Sequence, residues 1–172
     1  MKKSTFFASL FFVVITIFNL SCNKDKNEKE DACSLGANSN PGPCYNLNVL
    51  LKDKGYEFGF IKFRQDPDAA KIISLDTWVH HLAPNHEYKL QRAVDPINEV
   101  DGNCTSTSWL TLGSGLDPLS IITDAKGAGH AALWRDVTAI ANGSSFDIHF
   151  QVIDAVSSAV VLTSGCYQYT VR

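Results

Sequence analysis

From residue 45 onward, apolar side chains recur at every second position in short runs. Tyr45, Leu47, Val49 and Leu51 alternate with Asn46 and Asn48, which predicts a strand over 45–51 with one buried face. Ile73, Leu75, Thr77 and Val79 repeat the pattern within 70–81, as do Phe146, Ile148, Phe150 and Val152 within 145–153. The stretch 56–64, YEFGFIKFR, is aromatic-rich in the way strands favour. Further strands are predicted over 87–93, 107–112, 119–123, 130–137 and 160–171. Turn residues separate them, as in Asp53-Lys54-Gly55, Ala83-Pro84-Asn85, Asp101-Gly102-Asn103 and Asn142-Gly143-Ser144. Helical spacing is missing apart from a single turn near Asp66 to Lys71. Short strands punctuated in this manner predict an all-β sandwich over 44–172.

Within it, Leu82-Ala83-Pro84-Asn85-His86-Glu87-Tyr88-Lys89-Leu90 resembles the L-x-P-x-x-x-Y-x-L pattern of fibronectin type III domains. The resemblance implies an immunoglobulin-like Greek-key sandwich. It also implies a buried Tyr88 whose hydroxyl bonds backbone across the turn between sheets, with Leu82 capping the core.

The N-terminus has a different pattern. Lys2 and Lys3 precede an apolar run from residue 6 to 18, too short to span a membrane comfortably, so 1–21 reads as a signal peptide. Leu20-Ser21-Cys22 follows directly and resembles the lipobox of bacterial lipoproteins, as found in the Bacteroidota. That resemblance implies cleavage before Cys22 and acylation of its thiol. The segment 23–31, NKDKNEKED, has no apolar side chain and reads as a flexible tether. Its acids resemble the export signal of surface lipoproteins. The resemblance implies an outer-membrane location, lipid-anchored, on the cell surface or, as the alternative, facing the periplasm.

Composition narrows the function classes. Lys+Arg is 15 against 18 for Asp+Glu, and cleavage before Cys22 would move the net charge from -3 to -5. Without a basic excess no nucleic-acid surface is expected. Five cysteines occur. If Cys22 carries lipid, Cys33, Cys44, Cys104 and Cys166 remain, an even set that an exported protein would oxidise. The favoured pairs are Cys33–Cys44, which flank a Gly/Pro/Asn-rich loop within the 22–43 region, and Cys104–Cys166. No CxxC spacing points to a metal.

Candidate chemistry is sparse. His80 and His81 are adjacent on a strand and point to opposite faces, so they cannot both ligate one ion. His149 falls on the polar side of its strand beside Asp147 and Gln151 and is expected to face solvent. Gly113-Ser114-Gly115 lacks the frame of a nucleophile elbow, and Asp124, Gly127 and Gly129 suggest a hairpin turn with too few acids for calcium. No catalytic residue, metal site or cofactor is expected. Trp78, Trp109 and Trp134 each alternate with flanking aliphatic residues and so fall on the outward parity, with His80 on the side of Trp78. Exposed indoles on a sheet suit contact with a glycan or a protein. The expectation is therefore a non-catalytic, lipid-anchored envelope protein with a binding or structural role, its partner a glycan or another envelope protein. The alternative is a small, metal-dependent envelope enzyme built on histidines drawn from separate loops.

Overall fold

The computed structural model describes residues 44–172. The expected signal peptide, Cys22, the tether and the Cys33–Cys44 pairing lie wholly or partly outside the described residues. The described chain is all-β. Its strands are β1 (Leu47–Asp53), β2 (Tyr56–Gln65), β3 (Ile72–Val79), β4 (Glu87–Val94), β5 (Leu110–Thr111) and β6 (Gly113–Ser114). They continue with β7 (Asp117–Pro118), β8 (Ser120–Ile122), β9 (Gly129–Asp136), β10 (Ser145–Asp154), β11 (Val160–Ser164) and β12 (Tyr167–Thr170).

All belong to one sheet, ordered β5-β4-β10-β11-β1-β2-β3-β9-β6-β7, with β8 beside β4 and β12 beside β10. Pairing is antiparallel except for one parallel contact between β6 and β9. The segment 110–123 brings the two flanks together. Its β5 and β8 pair with β4, its β6 pairs with β9, and Thr123 bridges Gly129. The Leu112 amide donates to the Leu90 carbonyl, and the Gly115 amide to that of Trp134. The sheet thereby curls into a nearly closed, barrel-like sandwich, which leaves little unpaired strand edge.

The alternating residues fill its interior. Leu47, Val49, Leu51, Ile61, Leu90, Ile121 and Val152 have no exposed surface. Burying each such side chain contributes about 1.5–3 kcal/mol relative to leaving it in water. Phe63 packs edge-on against Phe150 and Tyr169. The Tyr169 hydroxyl donates to Gln65 Oε1 at 2.6 Å, while Gln65 Nε2 is buried without a hydrogen-bond partner among the described residues.

The crossover from β3 to β4 matches the expectation for Tyr88. Tyr88 is buried, its hydroxyl accepts the Ala83 amide at 3.0 Å, and Leu82 packs against the core. Thr123 Oγ1 donates to the Ala83 carbonyl and accepts the His86 amide, so the crossover is laced to the β8–β9 turn. Asp124 organises that turn by accepting the Lys126 and Ala128 amides. Gly127 is required there: its φ is +75°, and a Cβ would lie 2.1 Å from the Leu82 carbonyl oxygen.

The expected strand over 160–171 is two strands on the same side of β10, β12 along 145–148 and β11 along 151–153. Gly165 and Cys166 form the break, and there Cys166 joins Cys104 in the disulfide expected from the sequence.

Candidate functional site

Three places in the fold collect side chains beyond what the core needs. The first is the outer face of β1, β2, β3 and β9. Register aligns Leu50, Phe60, Trp78 and His130 in one row across these strands. Trp78 stacks on His130 with centroids 4.7 Å apart, and on Phe60 at 6.0 Å. The first distance is the spacing between strands, so the rings stand upright side by side. Trp78 therefore presents its rim, with neighbours against both faces. Its exposure is 39%. His80 lies beyond the end of β3 beside Phe58, and its Nδ1 is 2.6 Å from that of His81. That contact corrects the expectation that the two histidines point to opposite faces of a strand: β3 ends at Val79, and His81 has a φ of +59°. Trp134 shares the face and is 37% exposed, with Nε1 donating to Ser114 Oγ at 2.8 Å. Four residues and one strand separate the two indoles, a span of roughly 14 Å.

Trp109 is not part of this face. It lies against His149, centroids 4.6 Å apart, in the segment that covers β10. This corrects the expectation that His149 faces solvent beside Asp147 and Gln151. Asp147 is fully buried, and its Oδ2 accepts the amides of Asp101 and Gly102 at 2.9 and 2.8 Å. Gln151 is buried too, donating to Gln91. His149 Nε2 lies 2.9 Å from the Ser106 carbonyl. Asp95 accepts the amides of Thr105 and Ser106, and its carboxyl is held below the ordinary range mainly by the Thr105 amide, with His149 adding a smaller effect. Residues 95–109 thus form a roof over β10, pinned by two buried carboxylates, one histidine and the Cys104–Cys166 bond. In this cluster Asp95, Asp147 Oδ2 and His149 Nε2 contact backbone groups of the roof, and Gln151 bonds the Gln91 side chain.

The third place was not foreseen. One end of the barrel contains a cavity of about 370 Å³. Phe63, Ile73, Leu75, Leu112, Ile148 and Phe150 line its depth. Arg92 and Arg135 line it as well. Both stand on inward parity: Arg92 follows Tyr88 and Leu90 on β4, and Arg135 follows Ala131 and Leu133 on β9. Burial is the main cause that lowers the Arg92 pKa from its ordinary value, and the charge of Arg135 lowers it further. Arg135 donates to the Gly115 carbonyl at 3.1 Å. The Arg92 side chain makes no hydrogen bond or ion pair among the described residues, although its backbone lies between β10 and β5. A charge repeated at inward parity was the available signal, and alternation alone had concealed it behind its aliphatic neighbours.

No group of three or more His, Cys, Asp or Glu side chains converges among the described residues. No protein family, curated protein or solved structure matches this chain.

Proposed function

We propose that this chain is a non-catalytic, lipid-anchored protein of the bacterial cell envelope that binds a small apolar molecule inside its barrel. The cavity carries the reading. Its volume, about 370 Å³, falls in the range of ligand pockets, and its wall is mainly aliphatic and aromatic with few polar groups. A concave, mainly apolar surface with a few polar groups at its border is the usual form of a small-molecule site. The anchor supports the same setting: acylated Cys22 would hold the domain at a membrane, where apolar molecules concentrate. The crossover at Leu82–Leu90, with its buried Tyr88, supports an immunoglobulin-like Greek-key arrangement of the strands.

Titration with the neutral dye N-phenyl-naphthylamine tests the pocket. Saturable fluorescence enhancement at one site per chain is expected. Val94→Trp, which fills the half-buried mouth, should weaken it about tenfold or more, as loss of a buried apolar contact worth 1.5–3 kcal/mol would. Equal binding by both proteins would refute the cavity as the site. For the anchor, Cys22→Ala should release the protein from the membrane fraction or leave it unprocessed; wild-type fractionation and processing would contradict lipidation there.

A second reading is favoured by one observation, the shared outward face of Trp78 and Trp134. In it that face contacts a glycan or an envelope protein, with His80 at its border. Because the faces of Trp78 are occupied, contact would use ring edges and the flanking Asp76 and Lys62. Indole NMR signals distinguish the two readings: a surface partner should shift Trp78 and Trp134 and spare Trp109, and a partner that moves none of them would end this reading.

A further inference from the structure

We infer that the barrel cavity takes a single-chain amphiphile with an anionic head, its chain among Phe63, Ile73, Leu75 and Leu112 and its head at Arg92 and Arg135. This rests on the cavity reading above and adds the class of ligand. An apolar wall would serve any greasy molecule, but two guanidiniums at inward positions are a separate requirement. A guanidinium half withdrawn from water with no acceptor is costly, and a second like charge beside it adds to the cost. Among the described residues only Arg135 finds partial relief.

The acids that border the cavity are already engaged. Asp95 accepts the Thr105 and Ser106 amides, and Asp136 Oδ1 accepts the Thr138 amide at 2.6 Å. Arg135 has the charge of adjacent Asp136 and one backbone carbonyl. Arg92 has neither a carboxylate nor a carbonyl. An incoming anion supplies the missing acceptor. The guanidinium fork suits a carboxylate or a phosphate, each of which can accept two parallel hydrogen bonds. A fatty acid and a single-chain phospholipid share this chemistry, an apolar chain ending in an anion.

The test uses the full chain and three probes of equal chain length: dodecanoate, dodecyl phosphate and dodecanol. Each displaces N-phenyl-naphthylamine at neutral pH. An anionic probe should bind at least about tenfold tighter than the alcohol, as expected for hydrogen bonds to a charged group. Arg92→Gln should remove most of that preference while leaving dodecanol within about twofold, because its apolar contacts are unchanged. Arg135→Gln gives a second, independent reading of the same effect. Tighter binding of the phosphate than of the carboxylate would point to a phospholipid source, and the reverse to a fatty acid. Equal affinity for the acid and the alcohol in the wild type would overturn the head assignment and leave the cavity reading standing. A preference that survives both arginine substitutions would overturn it too. Failure of all three probes to bind would remove the cavity reading itself.

Discussion

The Cys104→Ser/Cys166→Ser double variant should lose about 4 kcal/mol of stability, the chain-entropy cost of releasing a loop closed over a separation of 62 residues. Domains of this size are stable by only about 5–15 kcal/mol, so the loss is a large share of the whole. The bond's position adds to its effect. Cys104 lies in the roof and Cys166 in the break between β11 and β12, so the bridge fastens an irregular segment to the strands flanking β10. Without it, the roof is held over β10 mainly by hydrogen bonds to Asp95, Asp147 and His149. Urea unfolding of oxidised wild type and variant measures the difference. A loss below about 1 kcal/mol would mean that the loop is ordered without the bond, against the entropic account.

Asp147→Ala should cost about 3 kcal/mol, because the amides of Asp101 and Gly102 together lose their buried carboxylate acceptor. Asp147→Asn should cost about 1 kcal/mol or less, since a neutral amide oxygen can accept both bonds and the buried charge disappears. Asp147 Oδ1 is buried without a partner, so exchanging it for an NH₂ group breaks no existing bond. Thermal unfolding of the two variants is the check. Equal losses would show that the carboxylate's charge, not its acceptor geometry, holds the roof.

The strands were legible where alternation was strict. In β1, β3 and β10 the inward residues could be read directly, and they form the core. Trp78 and Trp134 could be assigned outward for the same reason. The pattern was silent where pairing is brief. Two-residue strands such as β5 and β6 have no period, yet they close the barrel by pairing with β4 and β9. Alternation also tells which way a side chain points, not what covers it. Asp147 and Gln151 sit on the polar side of β10 as expected, but the roof buries them. Trp109 precedes its short strand, so parity said nothing reliable about its surroundings. Arg92 and Arg135 occupy inward positions, but nothing in alternation tells a charge bordering a cavity from one reaching solvent at a strand end.

Methyl NMR of the full chain titrated with dodecanol places the ligand most directly. The account predicts that methyl signals of Ile73, Leu75, Leu112 and Ile148, which line the cavity from three different strands or connections, shift together and saturate at one molecule per chain. Shifts confined to exposed Leu116, Ile122 and Val156, or none at all, would contradict a binding site inside the barrel.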